Sequence, residues 1–432
     1  MDFKTFLQDT FTASSTEHSG LSAFQQDSWT NFSNWGLPAL KHEEWRYTRI
    51  RNLFTDKLIA GQDQLPAKEI ITKHFLPGLE NANSIIFVNG YFVPELSNIQ
   101  DDESSLIVKS LQAASTDEDA AFVKENLGHS ARYHTDGINA LNGAFAAGGV
   151  YLRVNKGKSL TAPVAIYHFS DSSNGLRFSQ PRVLANIEAG AQATIIEHYI
   201  NLGSGDTLTN EVLEVCTAQD AVLYYIKIQD EGNASSHTGT THIRQLAKSL
   251  THAVTITLSG KVVRNNLNMV MEAEHGESHM YGLYLLDDET LADNHTIVDN
   301  AMPHCYSNEL YKGIMDGHST GVFNGKIFVR KDAQKTNAYQ SNKNILIGSN
   351  SSANTKPQLE IFADDVKCSH GCTIGKLDED ALFYLRARGI SVENAQALLL
   401  HAFAMDILDQ IKDENVRTFA NLLISKRLSF TI

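Results

Sequence analysis

The sequence predicts a mainly β protein with helical segments at both ends. Three observations carry that expectation. From Val150 to about Cys372 the chain is a long series of short β-like segments, such as 150–154, 164–167, 193–196 and 222–226, divided by Gly, Asn, Asp and Ser turns. In the second half turn residues recur at Asp299-Asn300, Asp316-Gly317, Asp332, Ser349-Asn350 and Asp364-Asp365, steps of about 15 to 17 residues. Each step encloses one or two short apolar runs, which suits a solenoid such as a parallel β-helix, where a coil buries its inward residues only by stacking on its neighbours. Upstream of Asp299 the period is lost, and a pair of large β-sandwiches fits the same pattern. The third observation is the change to helical spacing at Asp378.

Taken in order, residues 1–82 read as a helical region, with helical spacing at 5–10, 21–35 and 67–75. Between them, Lys41-His42-Glu43-Glu44-Trp45-Arg46-Tyr47-Thr48 reads as a surface segment anchored by Trp45 and Tyr47. The β-helix core is expected over 83–375, with a helical insertion around 101–147. It opens with a β-like run at 84–88 and the turn pair Asn89-Gly90. Within the insertion, helices are expected over 118–126 and 136–147. A helical domain over 376–432 follows. Asp378 is a plausible N-cap, Gly389 a C′ residue and Ser391 the cap of a second helix running to Ile411, with a third helix over 414–425. The middle helix is apolar almost all round, at Leu398, Leu399, Leu400, Phe403, Met405, Ile407 and Leu408. Such a helix needs cover on more than one side, from the neighbouring helices or from a partner protein.

Composition narrows the function classes. At 432 residues, 42% hydrophobic and 20% charged, the chain has ample material for a core. A net charge of −14 disfavours nucleic acid and anionic membrane as partners, because both need a basic face. The N-terminus lacks an apolar signal-peptide region, and the most apolar run, 395–408, is broken by Gln396, His401 and Asp406, so a cytoplasmic protein is expected. Four cysteines in a chain of this length make no disulfide framework, and Cys216 and Cys305 read as reduced, inert thiols.

The group with metal-ligand chemistry is Cys368-x-His370-x-Cys372. Alternate residues of an extended segment face the same way, so one strand would present two thiols and an imidazole together, ligands suited to zinc, iron and iron–sulfur clusters. From a straight strand these positions span about 13 Å, too far for one tetrahedral ion to collect all three. At most one or two would bind, with the rest supplied from elsewhere, and a buried polar turn is the alternative reading. His275 and His279 lie four apart, but with Gly276 between them in a β-like context their spacing reads as coincidence, and His304-Cys305 after Pro303 reads as a turn. The stretch Gly321 to Lys326 lacks the spacing of a phosphate loop and enters a β-like run, so any ATP used in this protein's task is bound by another chain.

Several longer motifs carry a resemblance. They are Leu310-Tyr311-Lys312-Gly313 with the stretch 321–326; Ala333-Gln334-Lys335-Thr336-Asn337-Ala338-Tyr339-Gln340-Ser341-Asn342-Lys343-Asn344; Ala363-Asp364-Asp365-Val366-Lys367-Cys368-Ser369-His370-Gly371; and Leu382-Phe383-Tyr384-Leu385-Arg386-Ala387-Arg388-Gly389, with Glu43-Glu44-Trp45-Arg46-Tyr47 near the start. On these the chain resembles the SufD-type members of the SufB/SufD family of the SUF iron–sulfur cluster assembly system, densely over 300–432 and patchily before. The resemblance implies a right-handed parallel β-helix between helical N- and C-terminal domains. It implies pairing with SufB through the β-helices, and docking of the SufC ATPase on the C-terminal helices. The implied role is that of a non-catalytic scaffold for nascent cluster formation, linked to iron acquisition. No cofactor would be bound tightly by this chain alone; iron or an Fe–S cluster would pass transiently through the complex, with ATP on SufC. In isolation the chain could pair with itself. The family's Cys-Ser-His-Gly histidine faces an essential SufB cysteine, a role that falls on His370, with Cys368 beside it and Cys372 as a third candidate. Two departures stand out. Asn342 occupies a segment where SufB-type chains carry a cysteine, and Cys372 stands where a small residue such as Ala is expected. The alternative from another class is a β-helix carbohydrate-active enzyme, for which no acid pair is recognisable.

Overall fold

The structure, a computed structural model, describes residues 3–14, 20–39, 41–55, 57–61 and 65–428. Its body is a parallel β-solenoid. Two 10-stranded sheets face one another, and strands alternate between them along the chain. In the first sheet, Glu277–Leu286, Tyr306–Met315, Asn337–Leu346 and Lys367–Gly375 lie side by side, Glu277 beside Tyr306, Tyr306 beside Asn337 and Asn337 beside Lys367. The coil repeat is therefore about thirty residues, twice the turn spacing in the sequence, because each coil contributes one strand to each sheet. One coil upstream is shorter, where Ser236 pairs with Val262 and Leu250 with Glu277, before the spacing returns to about thirty where Gln192 pairs with Val222. The short coil breaks the regular spacing of the turns at that point. The competing pair of β-sandwiches is excluded by the parallel, in-register pairing.

Period two sorts each strand's side chains to the interior or the outer face. Ile195, Leu223, Ala253, Met280, Tyr311 and Ala338 point into the core between the sheets, with Leu213, Ile243, Met269, Val298 and Ile327 opposite them. Two close approaches fix the shape of that core. The Tyr311 ring lies where a Cβ on Gly282 would stand, 2.1 Å away, and the Tyr284 ring crosses Gly313 at 2.2 Å. Each tyrosine covers the glycine directly beside it on the neighbouring strand.

The two ends of the solenoid differ. At the N-terminal end both sheet edges are covered by antiparallel strands: Tyr91–Phe92 lies on Asn83–Val88, and Leu106–Ser110 on Val150–Val154. The first of these pairs is a hairpin that turns through Asn89 and Gly90, at φ +53° and +87°, as the Asn-Gly pair requires. At the C-terminal end Ser352–Ile361 and Lys367–Gly375 are the last strands of their sheets, and neither has a neighbour beyond it among the described residues.

Helices α1 (Phe3–Ser14), α2 (Ser22–Trp35) and α3 (Lys68–Thr72) form the N-terminal region, and α4 (Leu111–Ala114), α5 (Ala120–Asn126) and α6 (Ile138–Ala144) the insertion. Between α2 and α3, residues 41–55 form a strap across the outer face of the second sheet. Trp45 is buried, donates its Nε1–H to Asp136 at 2.6 Å and sits 4.4 Å beneath the Arg264 guanidinium. Glu44 pairs with Lys326 at 2.6 Å and lies 3.3 Å from His295, and Glu43 pairs with Lys356 at 2.5 Å. The sequence expectation holds for Trp45, whereas Tyr47 stays exposed and anchors little.

At the other terminus, α7 (Glu379–Arg386) is capped by Asp378, which accepts from the Asp380 and Ala381 amides, and Gly389 takes φ +85° after it. Ser391 caps α8 (Val392–Leu408), and Asp413 caps α9 (Glu414–Arg427). The cover for the largely apolar α8 comes from the solenoid on one side and from α7 and α9 on others. Leu400, Ala404, Ile407 and Leu408 share one buried cluster with Ile226, Val254, Leu283 and Ile314 on the outer face of the first sheet, and with Val416, Ala420 and Ile424 of α9. Lys312 clamps the contact, donating to the Phe403 carbonyl at 2.8 Å and to Asp406 at 2.5 Å. No described helix is long and apolar enough to cross a membrane.

Two predictions follow from this packing. Gly282→Ala drives a methyl into the Tyr311 ring and is expected to cost about 1–3 kcal/mol in urea unfolding, whereas Gly371→Ala, whose added carbon meets nothing within 4 Å, leaves the midpoint close to wild type. The strap gives a pH dependence. Hydrogen bonding to His295, with Lys326 adding to it, holds the Glu44 carboxyl far below the usual carboxylate range against the opposing effect of burial. A depressed folded-state value stabilises above the unfolded value of about 4.3 and is lost as pH falls through the folded one. The stability gap between wild type and Glu44→Gln, read by Trp fluorescence, is therefore expected to be widest near neutrality and to close in acid.

Candidate functional site

The terminal strand Lys367–Gly375 forms because its residues continue the register of the coil beneath. Ala338 pairs with Cys368, Gln340 with His370 and Asn342 with Cys372. Ala338 belongs to the interior core, so the three candidate residues continue the inward-facing column. Sequence spacing correctly puts them on one face of an extended strand. The buried polar turn is not what forms: the segment is a strand, Cys368 is half-buried against the core, and His370 and Cys372 are exposed. They have the orientation of core residues without a following coil to bury them.

Their chemistry follows from that position. Burial pushes the Cys368 thiol above its ordinary range, partly countered by a hydrogen bond from the Ala338 backbone. At neutral pH it is protonated until a metal ion or a cationic partner stabilises the thiolate. Among the described residues no three His, Cys, Asp or Glu side chains converge closely enough to hold an ion. The two thiols and the imidazole of this strand therefore make no complete ion site by themselves among the described residues.

Beneath this column the interior is polar. Asn342 is fully buried and donates to the Tyr284 hydroxyl at 3.0 Å and to the Tyr311 carbonyl at 3.3 Å, a structural role that a cysteine would not fill. Gln340 donates to Glu309 at 2.7 Å. Neither Gln340 nor Glu309 is singled out by sequence reasoning; the one available signal is their place on the period-two rows behind His370.

The other candidates separate. His275 sits in a turn at φ +61° and stacks on His304 of the next coil at 4.9 Å, while His279 stacks on His252 at 4.6 Å along the sheet, so the four-residue spacing brings nothing together. His304 is itself a turn residue at φ +60°. Gly321 to Lys326 lies within the strand Thr320–Val329, with Lys326 committed to Glu44. Cys216 and Cys305 are buried and unbridged; burial raises the first thiol to about 12 and raises the second as well.

A parallel solenoid with antiparallel strands over the sheet edges at one end, two thiols and an imidazole along its last strand and a helical domain docked on its flank defines the class of protein, a β-solenoid with flanking helical parts. The chain's similarities agree with this. Residues 168–403 match the SufBD core domain of the SUF system for FeS cluster assembly, and residues 3–166 match the SufBD protein N-terminal region. An iron–sulfur cluster assembly SufBD family protein of Synechocystis sp. is 33% identical over 417 residues, covering 94% of this chain and 90% of the relative. The iron–sulfur cluster assembly protein SufD of Escherichia coli is 28% identical over 395 residues, covering 91% and 90%. The chloroplastic protein ABCI7 of Arabidopsis thaliana is 29% identical over 419 residues, covering 95% and 87%. The chain belongs to the SufB/SufD family of iron–sulfur cluster assembly proteins and is a homologue of SufD. Family membership displaces the carbohydrate-active alternative.

Alkylation tests the site's geometry. Iodoacetamide followed by mass spectrometry is expected to label Cys372 first and Cys368 more slowly, and to leave Cys216 and Cys305 unmodified in the folded chain. Labelling of Cys216 at a rate matching Cys372 would contradict the burial described.

Proposed function

We propose that this chain is the non-catalytic scaffold partner of a SufB–SufC–SufD assembly acting in the cytoplasm. Its open solenoid end would pair with the corresponding end of SufB. The observation that carries this reading is the asymmetry of the ends: antiparallel strands cover both edges at one end, while the strands Ser352–Ile361 and Lys367–Gly375 are bare at the other. Unpaired edges are liabilities that proteins cover, and here Ile361, Phe362 and Ile374 add exposed apolar surface beside them. A second parallel solenoid extends both sheets and buries those side chains. His370 and Cys368, with Cys372 at the rim, then face the partner's sulfur-accepting thiol, and iron or a nascent cluster is held transiently between the chains as cargo. This chain would contribute to iron acquisition and keep no tightly bound cofactor of its own.

ATP belongs to SufC, which we place on the C-terminal helices. The most exposed large apolar side chains of the described C-terminal helices are Phe383 (73%) and Tyr384 (55%) on α7 and Leu422 (61%) on α9, and only α7 presents two of them side by side. Aromatic side chains of this kind are the usual energetic anchors of an interface.

Two measurements test the reading. In the co-expressed complex, His370→Ala is expected to leave the subunits assembled while lowering iron content and the rate of cluster reconstitution; unchanged values would count against the shared site. Phe383→Asp combined with Tyr384→Ser is expected to weaken SufC binding at least about tenfold while SufB pairing persists. Full SufC binding by that variant would move the docking surface elsewhere.

A further inference from the structure

The layer beneath His370 contains a buried acceptor without a partner. Gln340 is 3% exposed, and its Oε1 has no hydrogen-bond partner among the described residues. Its Nε2 end is fixed. It donates to Glu309 at 2.7 Å on the strand below, and it reaches so far across the core that a Cβ on Gly325 of the opposite sheet would stand 2.2 Å from it. Burial raises the Glu309 carboxyl to about 7, so at pH 8 that group mostly accepts, and only the NH2 end of the amide can face it. The ends of a planar amide diverge by about 120°, which turns Oε1 away from the strand below. The next residue in the column on that side is His370, the strand partner of Gln340, roughly 4.8 Å away along the sheet. A buried acceptor left unsatisfied costs about 1–3 kcal/mol. The exposed His370 imidazole, which has no hydrogen bond among the described residues, can relieve that cost by turning its ring N–H inward.

We infer that Gln340 is the positioning residue for His370: its Oε1 accepts one ring N–H and so fixes the tautomer, the other ring nitrogen presents its lone pair at the open end, and Glu309 holds the amide in that direction. Ligating histidines characteristically give their second N–H to such an acceptor. Here the acceptor belongs to the coil below, so the orientation is set before any partner arrives. The inference deepens the proposed shared site and rests on His370 being its ligand. Its own test needs neither metal nor partner.

The test is nitrogen NMR of the full-length chain labelled on histidine, at pH 8, with the His370 signals assigned by their loss in His370→Ala. Wild type is expected to show one tautomer with a protected ring N–H. Gln340→Met, similar in volume but without the acceptor, is expected to exchange that proton about tenfold faster and to mix tautomers. Glu309→Gln keeps a carbonyl for the Gln340 NH2 and should preserve the wild-type signature. A rapidly exchanging tautomer mixture in wild type overturns the inference without reference to any variant, and so does a protected N–H that survives in Gln340→Met. Iron content of the His370→Ala complex, by contrast, bears only on the shared-site reading, so the two can fail separately.

Discussion

In-register stacking of parallel strands is the constraint on which the rest of this molecule depends. Each coil satisfies its backbone and buries its inward side chains only against the coils on either side. The first and last coils therefore pose a problem that the middle ones do not. At the N-terminal end the chain solves it internally, with two antiparallel strands folded over the sheet edges. At the C-terminal end it leaves side chains of core orientation, Cys368, His370, Cys372 and Ile374, on a strand with no successor. The candidate residues therefore lie on the one surface of the sheet that, among the described residues, lacks a neighbouring strand.

The appended helical parts follow from the same geometry. A solenoid has two outer faces, and this one covers part of each with sequence-distant chain. The strap carries Trp45 and Glu44 across the second sheet, and α8 and α9 close over the first. The apolar girth of α8 is matched by cover from the sheet on one side and from α7 and α9 on others. The docking leaves α7 projecting with its aromatic side chains outward.

Much of the fold was legible in the sequence. Period-two patterning, turn residues and the caps Asp378, Gly389 and Ser391 are local signals, and local signals survive into the structure. The half-coil spacing was visible where turn residues repeat and was broken where one coil shortens around Ser236 to Glu277. The strap was read as an ordinary surface segment because its partners, Arg264, His295 and Lys326, lie over two hundred residues away and no spacing rule links them. For the candidate site, one-sidedness was legible from alternation. That the shared face points inward, and that no coil covers it, depends on register and on where the solenoid stops. Gln340 and Glu309 were invisible for the same reason, since they adjoin the site across strands and not along the chain.

The central claim is that the bare edges of the last coil are where a second solenoid joins. Backbone amide hydrogen exchange over 352–361 and 367–375, measured for the chain alone and then with SufB added, tests it most directly. The account predicts that amides on the unpaired sides of these two strands gain strong protection on complex formation, while the capped strands at 83–92 and 106–110 are unchanged. A complex that forms with the exchange of both terminal strands unaltered would contradict it.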